Sequence, residues 1–393
     1  MKRIFFLLLI CTLPGLPVAA VELSGSVTAE GRFFPHSPHW QKQRDHNGSI
    51  SIEAELYHQF PGGSSITIAP LVMIDSGDSR RSAFDLREAH FLYVADNWEL
   101  LAGIGKVFWG ATEFVHLVDI INQTDLVKSP DGEEKLGQPM IHLSIPRDWG
   151  TLDGFLLPCF RERTFPGRHG RLRSSPAVDT DHAGYESAAG RTHLDLALRY
   201  SHSLGNLDFG ISHFHGTSRE PSLRLDLDPL GRPRLIPFYD QIDQTGLDLQ
   251  MVAGEWLLKA EALYRSGRGR DFAAATLGFE YTFTAVWGTS MDLGLIGEYV
   301  FDDRSDGLTP YDNDLMLGLR LAVNDAPSTE LLAGVIRDIH TSSQIFTLEA
   351  GRRFGENTRL SLEGVLFSHM DDADAAAALA DDDYIRIELS RYF

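Results

Sequence analysis

The sequence predicts an all-β protein, a transmembrane antiparallel β-barrel of about 18 strands (roughly 14 to 18), with short turns at one end and long loops at the other. Three observations carry this prediction. Apolar and polar residues alternate strictly over many short stretches, the stretches are joined by connections of alternating length, and the last ten residues, YIRIELSRYF (384–393), are themselves an alternating strand. A barrel has no free edge, so its final strand must pair with its first, and a chain that stops inside a strand suits that closure.

In chain order, MKRIFFLLLICTLPGLPVAA (1–20) places Lys2 and Arg3 before an apolar run from Ile4 to Leu13 and a small-residue exit at Val18, Ala19 and Ala20. This reads as a secretory signal peptide cleaved after Ala20, because the apolar run is about half the roughly 20 residues that span a bilayer. Cys11 follows Ile10, a poor residue for the position before a lipoprotein cysteine. Cleavage would leave Cys159 alone, so no internal disulfide can hold the mature chain. No later segment offers 18 consecutive apolar residues, which excludes a helical membrane protein. The formal net charge of −20 argues against nucleic acid as a partner.

From Val21 onward, the clearest strands are HLDLALRY (193–200), LDFGISHF (207–214), TGLDLQM (245–251), MDLGLIGEYVF (291–301), DLMLGLRLAV (314–323) and TRLSLEGVLF (358–367). One phase of each is aliphatic or aromatic, and the other carries charge, hydroxyl or glycine. Short turns are expected at 61–63, 96–97, 147–150, 204–206, 253–254, 284–288, 324–328 and 355–357. Long polar connections are expected at 109–138, 159–191, 216–244 and 369–382. Eight turns and nine longer connections give the strand number. Pro146 and Pro158 make 139–158 the weakest stretch. Tyr392 and Phe393 are expected at the periplasmic interface, where aromatic rings form a girdle.

With the apolar phase toward lipid, Arg199, Lys259, Glu261, Arg265, Glu280, Glu298, Arg320, Glu349, Glu363, Arg386 and Glu388 point inward. An arginine or lysine facing lipid at mid-depth costs roughly 2–4 kcal/mol, so a wet or ion-paired lumen is their natural place. For any one of them, pairing as a structural strut is the plainer role.

Within the barrel domain (21–393), the stretch WGATEFVHLVDIINQTDLVKSPDGEEKLGQP (109–139) mixes Phe114, Val115, Leu117, Val118, Ile120 and Ile121 with Glu113, His116, Asp119 and Asp125. It is too apolar for a solvated loop, and it is expected to fold inward and narrow the pore, the alternative being a cover over the rim. RERTFPGRHGRLR (161–173) carries Arg161, Arg163, Arg168, Arg171 and Arg173. Lining the pore, these would favour anions; lying outside, they would bind lipopolysaccharide phosphates. The acidic runs DDRSD (302–306), DND (312–314), DDAD (371–374) and DDD (381–383) read as solvated faces, and none has the spacing of a calcium loop.

SHSLGN (201–206) and SHFHG (212–216) bring serine and histidine together, but a hydrolase also needs an acid converging in space. No cofactor motif or metal-ligand pattern is present in the sequence, so no cofactor and no metal are expected.

FDLREAHFLYVADNWELLAGIGKVFWG (84–110) resembles the hairpin of porin-like outer-membrane proteins related to the alginate-export and phosphate-selective porin groups. The matching features are Leu86-Arg87-Glu88-Ala89, the turn at Asp96, the Leu100-to-Gly105 strand and Trp109-Gly110 opening a long loop, with Asp119-Ile120-Ile121-Asn122 extending the likeness. Arg87, Glu88 and Lys106 of this stretch join the candidate pore-lining residues. Lys106 departs from the pattern, since such proteins often carry an arginine near that place. The resemblance covers roughly a tenth of the chain and transfers a scaffold, not substrate-binding residues. The C-terminal phenylalanine likewise resembles the signal by which such barrels reach their assembly machinery.

The expectation is therefore a channel in a Gram-negative outer membrane, passing small solutes by passive or facilitated diffusion through a charged lumen. Outer-membrane lipid and lipopolysaccharide are the expected surroundings, the barrel assembly machinery the expected partner through Phe393, and a homotrimer is compatible with the sequence. A loop-closed barrel acting as an adhesin or structural protein is the alternative, followed by a barrel hydrolase.

Overall fold

Strict alternation makes a wall because successive side chains of a strand point to opposite faces, so each stretch presents one oily and one polar surface. The computed structural model describes residues 21–41, 43–267, 271–304 and 309–393; the signal peptide expected over 1–20 and part of the 302–306 acidic run lie outside them. Seven strands open the chain: β1 (Glu22–Phe33), β2 (His46–Gln59), β3 (Ser65–Asp75), β4 (Ala83–Val94), β5 (Glu99–Gly105), β6 (Gln138–Arg147) and β7 (Gly150–Leu157). The two-residue β8 (Gly184–Tyr185) sits in a long loop before β9 (Asp195–Leu204) and β10 (Leu207–Thr217). A hairpin of β11 (Ser222–Leu227) and β12 (Pro233–Tyr239) precedes β13 (Gln241–Ala253), β14 (Trp256–Gly267), β15 (Phe272–Phe283) and β16 (Asp292–Asp302). The last five are β17 (Asn313–Ala322), β18 (Glu330–Asp338), β19 (Gln344–Phe354), β20 (Thr358–Ser368) and β21 (Tyr384–Tyr392).

Eighteen of these form one antiparallel sheet, each strand pairing with the next, β7 with β9 and β10 with β13. The sheet closes where β21 pairs with β1, from Phe33 opposite Ile385 to Ser26 opposite Tyr392. Gly25 and Phe393 exchange backbone hydrogen bonds of 3.0 and 3.1 Å just beyond that register. A Cβ at Gly25 would lie 2.8 Å from the Phe393 ring and 2.3 Å from the Glu53 carbonyl oxygen, so the seam needs a glycine there.

All eight expected short turns join neighbouring strands at one end, and Pro146 is accommodated near the end of β6. Two expectations need correction. The 216–244 connection is shorter than predicted, because β10 runs to Thr217 and β13 starts at Gln241, and between them stands the β11–β12 hairpin. With β8, that hairpin forms a separate three-stranded sheet. Loop length also separates the two ends imperfectly, since the 339–343 connection is shorter than the 284–291 turn.

Ile50, Ile52, Leu196, Leu198, Leu315, Leu317, Leu319, Ile387 and Leu389 are exposed on the outer face, as a lipid-facing band requires. Phe60, Tyr93, Trp149, Trp256 and Phe354 ring the short-turn end, with Phe33, Phe84, Tyr264 and Tyr299 at the long-loop end. The principal apolar core lies inside the barrel, not between layers. Trp109, Val118, Ile120 and Ile121 of the long connection pack on Met140, Phe155, Leu157, Ala197, Phe214 and Ile242 of the wall. Val118 and Ile121 are fully buried, each worth about 1.5–3 kcal/mol.

Candidate functional site

The segment 106–137 leaves the wall at the end of β5 and returns at β6, and the sequence of its first half explains how it crosses the bore. Asn122 staples its base: the side-chain carbonyl accepts from Val107 N–H at 2.8 Å, and the amide donates to the Gly105 and Leu136 carbonyls, both at 2.9 Å. Beyond the staple the chain reaches strands far from its own. Glu261 Oε1 on β14 accepts from Ala111 N–H (2.7 Å), Thr112 N–H (3.1 Å) and the Thr112 hydroxyl (2.7 Å), and its Oε2 accepts from Val118 N–H at 3.2 Å. Glu298 on β16 accepts from the backbone N–H groups of Glu113 and Phe114 at 2.6 and 3.0 Å. Two wall carboxylates thus satisfy a turn of backbone that has no strand partner, which a buried segment requires.

The tip of the segment reaches β17 and β18. Gly318 and Gly334 stand opposite each other in the register, and a Cβ on either would come within 3.2 Å of the Phe114 ring. The two glycines therefore form the slot that ring occupies. Around it, Phe114 and Val115 pack on Val300, Met316 and Ile336, while Leu117 packs on Leu263, Phe272 and Ala274.

The predicted site residues fall into four groups. Glu113 lies between Lys259 (3.3 Å) and Arg320 (2.5 Å), with Glu280 3.6 Å from Arg320. His116 and Asp119 serve the segment itself: His116 Nε2 is 3.2 Å from Glu133, and Asp119 is 3.1 Å from Lys135. Burial would lower the His116 pKa, but the hydrogen bond and charge of Glu133, with Glu261 and Asp119 nearby, raise it above the usual imidazole value. Burial pushes the Asp119 carboxyl up despite Lys135.

Arg87 is buried between Asp85 (3.3 Å) and Asp125 (2.5 Å). Glu88 lies 3.7 Å from His90. Arg87 and Glu88 are adjacent, yet both project away from Phe84, Phe91 and Tyr93, because the register slips between Ala69 and Pro70 and leaves Arg87 as the extra residue of a β-bulge. Lys106 is exposed and has no ion pair within 4 Å among the described residues.

Arg199 grips Asp248 with both guanidinium nitrogens, at 2.6 and 2.8 Å. Arg265 bonds Gln244 and Glu220, and Arg386 holds Glu363 with Glu388 3.7 Å away. Glu220 also meets Arg304 at 3.0 Å. Burial opposes ionisation of Glu220, but Arg265, Arg304 and Arg163 outweigh it and bring its pKa to about 2.

The five arginines of 161–173 do not form one patch. Arg161 joins Asp85 (2.7 Å), Arg163 Nε donates to Gln123 (3.3 Å), and Arg171 is buried against Asp382 (2.5 Å). Arg173 lies over the Trp40 ring at 5.1 Å, and Arg168 is exposed with Asp228 3.9 Å away. Together they tie their own loop to β4, the 106–137 segment, the β11–β12 turn, the connection before β21 and the connection after β1. His213 and His215 share Asp243 on the outward phase, exposed, whereas Ser212 is buried on the opposite phase, so the serine and histidine of that stretch do not meet. Asp312, Asp338 and His340 come within 4.8 Å of one another, but Asp338 already accepts from His340 N–H and Thr341 N–H in a turn.

Sequence reading named Asp125 as a polar residue of the stretch and Asn122 only within the family likeness, and it missed Lys128, Glu133 and Lys135; all five anchor the segment. Glu349 and Glu363, expected only to point inward, line the remaining cavity. Beside the segment remains a cavity of about 410 Å³, lined by Glu113, Arg320, Glu330, Glu349, Arg359, Glu363, Arg386 and Glu388 among others.

No protein-family model matches the sequence, and no curated protein sequence does. Solved structures are similar in fold. A BenF-like porin from Pseudomonas fluorescens Pf-5 superposes with a TM-score of 0.55 at 12% identity, covering 94% of this chain and 97% of that one. OccK5 (OpdH) of Pseudomonas aeruginosa gives 0.52 at 10% identity over 95% and 98% of the two chains. OccD3 (OpdP) of the same organism gives 0.51 at 12% identity over 95% and 93%. At these identities the likeness is one of architecture: this chain is a closed 18-stranded antiparallel barrel, and its fold is similar to that of those porins over nearly the whole of each chain.

Proposed function

We propose that this chain is an outer-membrane channel through which small solutes pass by diffusion, and that the 109–139 stretch sets the width of its bore. The supporting observation is the cavity of about 410 Å³ between the tip of that stretch and β17–β21, half of whose lining residues carry charged side chains, which suits water and polar solutes. Its lining carries five carboxylates, on Glu113, Glu330, Glu349, Glu363 and Glu388, against three guanidiniums, on Arg320, Arg359 and Arg386. A narrow space with that excess favours cations over anions of equal size. The signal peptide would be removed on export, the apolar band would sit in the outer membrane with lipopolysaccharide around the loops, and the strand ending at Phe393 would be read by the barrel assembly machinery. Recording from planar bilayers tests this: refolded protein should give discrete conductance steps. A well-folded barrel that never conducts would favour the adhesin or structural reading.

A further inference from the structure

The hairpin above the barrel has a free edge. Among the described residues β11 pairs only with β12 in its sheet, and β12 also meets β8, so β11 is the outer strand. The direction of its backbone groups follows from its neighbour. Leu225 stands opposite Leu235, whose N–H donates to the Ala177 carbonyl at 3.2 Å and whose carbonyl accepts from Asp179 N–H at 2.7 Å. Both polar groups of Leu235 therefore face away from β11. In an antiparallel pair, opposite residues exchange both backbone bonds or neither, so the N–H and C=O of Leu225 point out of the sheet. Leu223 and Leu227 share its parity, and they face Pro237 and Pro233, which have no N–H to offer. The leucine side chains are exposed too, Leu225 at 71% and Leu227 at 61%. A strand with an open backbone edge and oily side chains is a template for another strand.

The residues between the leucines say which strand fits. The order Leu223-Arg224-Leu225-Asp226-Leu227 is symmetric in its leucines and antisymmetric in charge about Leu225. A second copy laid antiparallel across a two-fold axis at Leu225 places each Arg224 opposite Asp226 of the second copy, and each Leu223 opposite Leu227. Parallel pairing would set arginine against arginine. Both charges remain accessible although each has a partner: Arg224, its side chain 55% exposed, lies over the Phe238 ring and 3.9 Å from Asp240, and Asp226, 44% exposed, accepts two hydrogen bonds from Arg234 at 2.8 and 3.0 Å.

We infer that β11 is a homotypic docking strand, through which two copies of this chain join their loop sheets into one antiparallel sheet. The contact is isologous, so it closes on a pair and does not propagate. Its area is small, and confinement of the copies to one surface supplies the effective concentration it needs.

Oxidative cross-linking of the full-length protein in native outer membranes tests this. Leu225→Cys is compared with Leu230→Cys, both in a Cys159→Ser background, each variant shown to be folded by its gel shift on boiling. Opposed Cα atoms about 5.5 Å apart lie within disulfide reach, so Leu225→Cys should give a dimer of two copies and the exposed Leu230→Cys should not. Arg224→Glu added to Leu225→Cys should reduce the dimer at least about fivefold, and adding Asp226→Arg as well should restore it. Equal cross-linking at both positions, no dimer from Leu225→Cys, an adduct of another mass, or charge reversal without effect would each overturn the proposal.

Discussion

Glu261 Oε1 on β14 accepts both the backbone N–H and the hydroxyl of Thr112, at 3.1 and 2.7 Å, although Thr112 belongs to a segment that leaves the wall at Gly105 on β5. This buried carboxylate thereby joins Glu298 in fixing where the segment lands. It takes four hydrogen bonds in all, from Ala111, Thr112 and Val118, and only an acceptor on both oxygens can do so.

Glu261→Gln keeps the shape and replaces one acceptor with a donor. The amide nitrogen would then face backbone N–H groups, and the loss should be on the order of 2–4 kcal/mol. Detergent-solubilised variant should unfold at lower denaturant than wild type, and its single-channel currents should be noisier. An unchanged unfolding midpoint would mean that Thr112 and its neighbours are held by packing alone.

Phe114 and the facing glycines Gly318 and Gly334 form a lock that can be tested in both directions. Gly318→Val should displace the ring, costing about 1–3 kcal/mol by overpacking. Phe114→Ala should cost roughly 3–5 kcal/mol through the cavity it leaves. Combined, the two changes should be less damaging than their sum, because the valine fills space the ring vacated. Strict additivity in the same denaturation assay would separate the glycines from the ring.

His116 and Glu133 give the segment a pH response. Burial alone would lower the His116 pKa, and Glu133 raises it above the ordinary 6.5; His116 in turn lowers Glu133 below the ordinary 4.5. The raised imidazole contributes stability that is fully present below its unfolded value and lost as pH rises through its folded one. The lowered carboxylate contributes stability present above its unfolded value and lost as pH falls through its folded one. The pair is therefore firmest between the ordinary carboxylate and imidazole values. Open-channel noise should be lowest in that window and rise on the alkaline side, and His116→Gln should abolish the alkaline rise. A rise that survives the substitution assigns the titration to another group.

Much of this was legible in the sequence, for a physical reason. In a membrane wall every strand is half in lipid, so stretches such as DLMLGLRLAV show their period without interruption, and turns such as GEN separate them cleanly. The apolar content of 109–139 likewise marked a segment too oily for a solvated loop. What sequence could not supply is pairing at a distance. Arg171 and Asp382 lie 211 positions apart, and Thr112 and Glu261 lie 149 apart, so the partners of the 161–173 arginines and the landing place of the segment were invisible. The strand SLRLDL alternates as strictly as any wall strand, and only its neighbours show that it stands outside the wall. At Arg87 and Glu88 the difficulty was a bulge: two adjacent charges share a face because the register slips beside them.

Glu349 is the carboxylate of the cavity without an ion pair within 4 Å among the described residues, and it stands opposite Glu363 in the register. Its neighbours Glu330 and Glu363 are neutralised by Arg359 and Arg386. Glu349→Gln should therefore reduce the preference for potassium over chloride by about twofold in a salt gradient, and Glu349→Lys should lower it further. Reversal potentials identical to wild type would place the conducting path elsewhere.

The most direct measurement compares single-channel conductance of the wild-type protein with that of a variant in which residues 111–118 are replaced by a short glycine-serine linker, both shown to be folded by their gel shift on boiling. A water-filled bore narrowed by that segment requires the variant to conduct more, at least about twofold at the same salt. Equal conductance in the two proteins would contradict it.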